Sequence, residues 1–131
     1  MAVRVLHIDD ELDVRELVEI SLALDPDLIV RGCASGLEAI EVANEWSPDV
    51  ILLDAMMPGM DGPATLERLR QDPRTSSIPI VFLTAHTSPR EVVRLFVLGA
   101  EGVIPKPFNP VTLAASVRNH MRQARLLGGT A

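Results

Sequence analysis

The chain has 131 residues, 47% hydrophobic and 23% charged, so it is long enough for one domain with its own core and its composition is that of a folded protein. Twelve basic and eighteen acidic residues give a net charge of −6, which argues against direct nucleic-acid binding, because a phosphate backbone requires clustered Lys and Arg. No apolar run approaches the roughly 20 residues of a membrane span, and the single cysteine, Cys33, excludes an internal disulfide, so we expect a cytoplasmic protein without membrane contact.

Short apolar runs alternate with longer amphipathic stretches along the chain, and this alternation predicts five strand–helix units. Such units connect by right-handed crossovers and form a parallel sheet with helices on both faces. The third and fourth apolar runs are continuous, which is typical of strands buried on both sides. The predicted strands span 3–8, 28–33, 50–53, 78–83 and 102–104, and the predicted helices span 12–24, 36–46, 63–71, 89–99 and 110–126.

The pattern predicts one domain over residues 1–127 and a flexible tail over 128–131, where two glycines occur together. No repeat or internal linker interrupts the domain. We expect either a stand-alone protein that acts by protein contact or a fragment of a longer protein. The start of the first strand close to Met1 favours an N-terminal domain.

Polar residues stand where the predicted strands end. Asp9 and Asp10 follow the first strand, and Asp54 follows the third. Thr84 follows the fourth strand, and Lys106 comes after the fifth. The carboxyl ends of parallel strands lie along one edge of the sheet, where open α/β sheets bind ligands. If the first, third, fourth and fifth strands are neighbours, these five residues meet in one cleft.

Three carboxylates in one cleft repel one another, and each resists ionisation unless a cation lies among them. Mg²⁺, a hard cation that prefers oxygen ligands, fits such a cluster. Asp54 lies on the central strand and is the candidate nucleophile, since an aspartate can attack phosphorus and form an acyl phosphate. The cation and the Lys106 ammonium would neutralise the oxygens of the transferring phosphoryl group.

Lys106 also stands out within the composition of the chain. Eleven of the twelve basic residues are arginines, and Lys106 is the single lysine. An ammonium is a compact point charge on a flexible stem, and a guanidinium does not replace it at a small phosphoryl site. The choice of lysine at this position therefore supports a role for Lys106 in the cleft.

Several short motifs occur along the chain: Ile8–Glu11, Pro48–Asp54, Met57–Gly62, Leu83–Ala85, Gly99–Ala100 and Lys106–Phe108. Any one of these motifs is weak alone, but together in this order and spacing they are specific. On these motifs, the chain from about Val3 to about Arg125 resembles the receiver domain of bacterial two-component response regulators.

The resemblance implies a flavodoxin-like (βα)5 domain with strand order 2-1-3-4-5. It implies that Asp54 is phosphorylated by a histidine kinase or a histidine phosphotransfer protein. In this family pattern Thr84 hydrogen-bonds the phosphoryl group and Lys106 pairs with it. The peptide bond between Lys106 and Pro107 is expected to be cis, which X-Pro bonds tolerate at modest cost.

The resemblance also implies a magnesium site. Asp10 and Asp54 would bind Mg²⁺ directly, and Asp9 would act partly through water. The backbone carbonyl of Met56 would complete the protein ligands. Such a domain modifies and dephosphorylates itself and turns over no independent substrate, so we expect a switch that acts on a protein partner rather than an enzyme.

The chain departs from the family pattern three residues before Lys106. Receiver domains usually have Tyr or Phe there, and the ring turns inward when the threonine moves, whereas this chain has Val103. We therefore predict that the fourth helix and fifth strand transmit the signal by helix displacement or dimerisation. The fourth helix is broadly apolar between residues 92 and 98. This pattern has two readings. One is a broad core-facing stripe with scattered surface apolar residues, and the other is a predicted contact surface for a partner or a second copy. The predicted contact surface contains Val92, Leu95, Val97 and Val103.

Two other functions remain open from the residues. A pseudo-receiver would bind partners without phosphate, and Val103 is consistent with that reading. A phosphohydrolase would use an aspartyl-phosphate intermediate, but such enzymes place a second acid two residues after the nucleophile, where this chain has Met56.

Two histidines have simpler interpretations. His7 is predicted to pack inside the first strand and His86 to be an exposed loop residue, with a role near the phosphoryl group as the alternative for His86.

Overall fold

The computed structural model describes residues 2–128, in which five strands and five helices alternate. All strand pairs are parallel, and the sheet order is β2-β1-β3-β4-β5, which confirms the predicted flavodoxin-like (βα)5 fold. The elements are β1 (Val3–Ile8), α1 (Leu12–Leu22), β2 (Leu28–Cys33), α2 (Gly36–Trp46), β3 (Val50–Leu53), α3 (Gly62–Gln71), β4 (Ile80–Thr84), α4 (Pro89–Leu98), β5 (Gly102–Pro105) and α5 (Leu113–Gly128).

The strand register brings four strand ends to one edge of the sheet. Ile8 at the end of β1 pairs with Leu53 at the end of β3. Thr84 at the end of β4 pairs with Pro105 at the end of β5. The polar residues that come next in the chain are Asp9, Asp54 and Lys106.

The continuous apolar strands have a separate core on each face of the sheet. In β3, Ile51 and Leu53 face α2, α3 and α4, while Val50 and Leu52 face α1 and α5. Successive side chains of a strand point to opposite faces, so a strand covered on both sides is apolar at every position. Each fully buried Leu, Ile or Phe stabilises the fold by about 1.5–3 kcal/mol. The two cores therefore hold the strand ends at fixed positions.

Three helices begin with a capping side chain. Ser35 accepts a hydrogen bond from the Glu38 amide at the start of α2. Asp61 caps α3 in the same way, and Ser88 caps α4 with Pro89 as the first helical residue. The Ser88–Pro89 prediction is confirmed. A side-chain cap satisfies one of the free N–H groups at a helix start and is worth about 1 kcal/mol.

The start of α5 was predicted wrongly. The helix begins at Leu113 and not at Pro110. Asn109 explains the difference, because its side-chain oxygen accepts a hydrogen bond from the Val111 amide and its carbonyl accepts one from the Thr112 amide. These bonds form a turn of the Asx type, which competes with helix formation.

Other boundaries differ by one or two residues. The first helix ends at Leu22 rather than residue 24, because the chain turns there with the Asp25 amide bonded to the Leu22 carbonyl. β4 begins at Ile80, since Pro79 has no N–H for the ladder. Helix α5 extends to Gly128, the first residue of the predicted tail, and residues 129–131 lie outside the described part of the chain. No helix within residues 2–128 is both long enough and apolar enough to cross a membrane.

The predicted contact surface on α4 needs one correction. Leu95 is fully buried against the core and cannot form part of a surface. Val97 is 80% exposed, as the prediction required, and Val92 and Val103 are half-buried. The apolar residues that the prediction missed on this helix surface are Val93 and Phe96. The helical period of 3.6 residues accounts for the error, because it directs Leu95 inward between its exposed neighbours.

His7 is a buried strand residue, as predicted. It is 1% exposed, and its Nε2 atom has no hydrogen-bond partner among the described residues. Burial lowers the pKa of His7 to about 4, with the Asp9 charge acting in the opposite direction and the charges of Lys106 and Arg15 reinforcing the effect. The imidazole is therefore neutral in the folded protein at pH 7.

We predict that His7 makes the protein acid-sensitive. The unfolded chain protonates His7 below about pH 6.5, whereas the folded chain does so only near pH 4, so this stability is complete above pH 6.5 and is lost as the pH falls. Between pH 7 and pH 5 the loss from this residue is about 2 kcal/mol. Urea denaturation at both pH values measures it. The loss should be smaller by that amount in His7→Val and unchanged in His86→Ala, which alters an exposed imidazole. Equal pH dependence in His7→Val and the parent chain would contradict the assignment.

Candidate functional site

Three carboxylates meet where β1 and β3 end. Asp9 and Asp10 follow β1, Asp54 follows β3, and the Asp54 amide donates to the Ile8 carbonyl at 3.0 Å. Each carboxylate contributes an oxygen, and these oxygens lie within 4.8 Å of one another. Asp9 is fully buried, Asp54 is 5% exposed and Asp10 is exposed. The structure thus places together the three acids that the sequence predicted as one cluster.

The Asp9 carboxylate uses both of its oxygens within the protein. Oδ1 accepts a hydrogen bond from the Glu11 amide at 2.9 Å, and Oδ2 accepts one from Lys106 Nζ at 2.7 Å. The backbone of Asp9 is also held, because its amide donates to the Cys33 carbonyl and its carbonyl accepts from Arg15. Asp9 is therefore held in place through its backbone and through one hydrogen bond to each carboxylate oxygen.

Lys106 reaches the acids from the other side of the cleft. Its Nζ lies 2.7 Å from Asp9 Oδ2 and 3.6 Å from Asp54 Oδ1. Its amide donates to the Thr84 carbonyl at 2.9 Å, so the end of β4 fixes where the lysine leaves the sheet. The Lys106–Pro107 bond is cis, as the resemblance implied. One ammonium faces three carboxylates, which leaves the cluster negative.

Burial and neighbouring charges both act on Asp54. Burial raises the pKa of Asp54 above its usual range, Lys106 lowers it, and the charge of Asp9 raises it again. The Met56 amide, which donates to Asp54 Oδ1 at 3.3 Å, favours the ionised form, and Asp10 opposes it. An added cation would favour the charged form of Asp54.

Thr84 closes the cleft at the end of β4. It is fully buried, and its hydroxyl oxygen accepts a hydrogen bond from the His86 amide at 3.0 Å. His86 itself is exposed, as predicted. Together with Met56, Arg94 and neighbouring residues it lines an open groove of ≈ 560 Å³. The groove therefore lies beside the loops that follow β3 and β4 and is not lined by the three acids.

The donor set fits a small hard cation. Mg²⁺ takes oxygen ligands and keeps several waters, so it needs only one or two carboxylates from a protein. Asp10 and Asp54 have carboxylate oxygens available for it, whereas Asp9 is already bonded to Glu11 and Lys106. The predicted use of the Met56 carbonyl stays a prediction, since Met56 contacts the cluster through its amide.

Sequence reasoning missed two groups that contact the acids, the Glu11 amide and the Arg15 guanidinium. A helical side chain points back towards the N-terminus of its helix. An arginine in the first turn of α1 could thus have been expected to reach the preceding turn. The Glu11 amide had no such signal, because a backbone contact depends on turn geometry.

Comparison with known proteins identifies relatives along nearly the whole chain. Residues 5–118 match the family model of the response regulator receiver domain. Response regulator Rre1 of Synechocystis sp. is 37% identical over 117 residues, which are 89% of this chain and 51% of that protein. DNA-binding response regulator MtrA of Mycolicibacterium paratuberculosis is 40% identical over 124 residues, 94% of this chain and 53% of that protein. The chain therefore spans about half the length of these curated relatives.

A solved structure agrees with the fold. Chemotaxis protein CheY4 of Vibrio cholerae superposes with a TM-score of 0.83 at 34% sequence identity. The match covers 91% of this chain and 98% of that chain. The structural similarity therefore extends over nearly the whole of that solved chain and not only over a shared motif.

One prediction about partners is wrong. The net charge of −6 was taken to exclude nucleic acid, but MtrA and the Synechocystis regulator RpaA are named as DNA-binding proteins. The net charge of this chain corresponds only to the part of such proteins that the chain matches, which is about half of their length. An acidic domain can be joined to a DNA-binding one, so the composition did not justify the exclusion.

We predict that Asp54→Asn stabilises the protein in magnesium-free buffer. The change removes a buried carboxylate whose charged form is disfavoured, while Lys106 keeps its contact with Asp9. Removal of such an unfavourable charge at a functional site stabilises the folded protein by about 0.5–2 kcal/mol. Urea denaturation at pH 7 with a chelator measures it.

The matched control is Asp61→Asn, in the same loop and with the same change of charge. Asp61 caps α3, and Asn caps a helix equally well, so its stability should stay close to that of the parent chain. If Asp54→Asn is no more stable than Asp61→Asn, the Asp54 carboxylate does not destabilise the folded protein.

Proposed function

The chain belongs to the response regulator receiver domain family, and from that membership we propose that Asp54 accepts a phosphoryl group with the help of Mg²⁺. Members of this family are phosphoacceptor switch domains of two-component signalling. The observation that carries the proposal is the buried Asp54 carboxylate between Lys106 and two further acids. Asp9, Asp10 and Asp54 would hold the Mg²⁺ ion, which supplies charge neutralisation for the phosphoryl oxygens.

The proposed donor is a phosphohistidine of a histidine kinase or phosphotransfer protein. An Asp54 carboxylate oxygen attacks phosphorus and forms the O–P bond of an acyl phosphate. The P–N bond to the donor histidine breaks, its electron pair returns to the imidazole nitrogen, and that nitrogen takes up a proton from solvent. The open groove lined by Met56 and His86 lies beside the loops that follow β3 and β4, and we propose that a donor histidine approaches Asp54 from this side.

The residues of the cleft have distinct proposed roles. Lys106, 3.6 Å from Asp54, is placed to bind an oxygen of the incoming group. Asp9 orients that ammonium through its 2.7 Å hydrogen bond and acts on the cation partly through water, which its two occupied oxygens favour. Thr84 offers a buried hydroxyl whose proton is free to point at the phosphoryl group while its oxygen accepts from His86.

We propose that α4 transmits the change. The half-buried Val103 lies on β5 beside Phe82 of β4 and has no ring that could turn inward. Helix α4 has one fully buried residue, Leu95, and it begins directly after the loop that contains His86. A helix attached by so few buried side chains can shift at low cost. Movement of Thr84 towards a phosphoryl group would therefore reach α4 through this loop.

The alternative functions have less support. A phosphohydrolase needs an acid–base group two residues after Asp54, and that position holds the exposed apolar side chain of Met56. A pseudo-receiver would not need the intact acids, Thr84 and Lys106. The names of the relatives support transcriptional control as the output of a protein that contains this domain. A cytoplasmic location stays a prediction.

We predict that phosphorylation depends on Asp54 and on magnesium. Incubation with acetyl phosphate and Mg²⁺ should add the mass of one phosphoryl group to the parent chain and to Asp61→Asn, as measured by intact mass spectrometry. Asp54→Asn should gain none, because an amide is not a nucleophile here. Chelation of Mg²⁺ should abolish the gain in every variant.

Two results would overturn the proposal. One is a phosphoryl adduct on Asp54→Asn at the level of the parent chain, which would place the acceptor elsewhere. The other is that neither acetyl phosphate nor a purified histidine kinase phosphorylates the parent chain.

A further inference from the structure

The turn between β1 and α1 carries two of the three acids, yet the start of α1 lacks the usual side-chain support. Glu11 is the N-cap residue and makes no side-chain capping bond. The caps of α2, α3 and α4 each use a Ser or Asp side chain. The backbone of residues 9–11 must therefore be held by other contacts.

Arg15 supplies one of these contacts. It lies in the first turns of α1 and its side chain runs back along the helix, where Nη1 donates to the Asp9 carbonyl at 2.7 Å. Its stem lies over β2, since a Cβ added at Gly32 would be 3.4 Å from Arg15 Cδ. A guanidinium–carbonyl bond of this length is charge-assisted and stronger than a neutral one.

Asp10 follows the peptide group that Arg15 contacts. Its exposed carboxylate accepts no hydrogen bond from any residue in the described part of the chain, although one of its oxygens lies within 4.8 Å of oxygens of Asp9 and Asp54. With no hydrogen-bond partner of its own, the side chain is placed by the backbone, which sets the direction of its Cα–Cβ bond. Arg15 binds the oxygen of the Asp9–Asp10 peptide group.

We propose that Arg15 is a positioning residue for the magnesium site: it fixes the Asp9–Asp10 peptide so that the Asp10 carboxylate points towards Asp54. This inference rests on the proposed function of the acidic cleft. Arg15 acts through the backbone and needs no contact with the ion. Residues that orient metal ligands in this way typically contribute 10–100-fold to metal affinity.

The competing effect of the Arg15 charge has the opposite sign. A guanidinium near the cleft repels a cation, so its removal would strengthen Mg²⁺ binding if charge alone mattered. Loss of positioning weakens binding. The direction of the change in affinity therefore separates the two effects.

The test measures the Mg²⁺ dissociation constant, without phosphorylation, from backbone amide shifts in two-dimensional NMR. Arg15→Met keeps the stem and removes the guanidinium, and we expect its dissociation constant to rise about tenfold. Arg15→Lys retains one donor and should show a smaller rise, roughly threefold. The control is Arg4→Met, which also removes a guanidinium–carbonyl bond, to Trp46, at the opposite end of β1. It should change affinity less than twofold.

A double-mutant cycle distinguishes positioning from general damage to the fold. If Arg15 acts through Asp10, Asp10→Asn should weaken Mg²⁺ binding strongly in the parent chain and much less in Arg15→Met. Independent losses that multiply would overturn the inference. So would an Arg15→Met affinity within twofold of the parent or tighter than it. If Arg15→Met does not fold, Arg15→Lys decides by the same criterion. A parent chain that binds no Mg²⁺ would overturn the proposed function itself, and this inference with it.

Discussion

Mutual repulsion of three carboxylates at the ends of two adjacent strands is the constraint on which the rest of the site depends. The parallel register sets Asp9 and Asp54 side by side, and the sheet buries both. One ammonium, Lys106, offsets part of the negative charge. Burial raises the pKa of Asp54, Lys106 opposes this, and the charges of Asp9 and Asp10 add to it. A site of this kind stores unfavourable electrostatic energy that a bound cation releases, and this connects metal binding to the reactivity of Asp54.

The same sheet explains how so small a cluster can be held in place. Two apolar cores, one on each face, fix β1, β3, β4 and β5. Thr84 is the last residue of β4, and the other site residues follow their strands within two positions. Contacts that cross between strand ends then set the details. Lys106 is tied to Thr84 through its amide and to Asp9 through its side chain. A displacement of one of these strand ends would therefore change the contacts of the others.

Much of this arrangement was predictable from the sequence, because it depends on strong local signals. Continuous apolar runs such as 50–53 identified the central strands, and acids placed directly after them identified the cleft. The strand order came from the family resemblance, since periodicity does not determine which strands are neighbours. The start of α5 was missed because the Asn109 side chain competes with the helix. The contact between the Glu11 amide and the Asp9 carboxylate depends on turn geometry that no spacing rule contains. Charge counting misled most, because the charge of a receiver domain does not show what it is joined to in relatives such as MtrA.

The central claim is that the ionisation of Asp54 is controlled by the charges around it and by a cation among them. The most direct measurement is a pH titration of the Asp54 side-chain carboxyl carbon by ¹³C NMR, with and without Mg²⁺. The account predicts a pKa above the usual aspartate range in magnesium-free buffer and a clear decrease when Mg²⁺ is added. An ordinary aspartate pKa that Mg²⁺ leaves unchanged would contradict it.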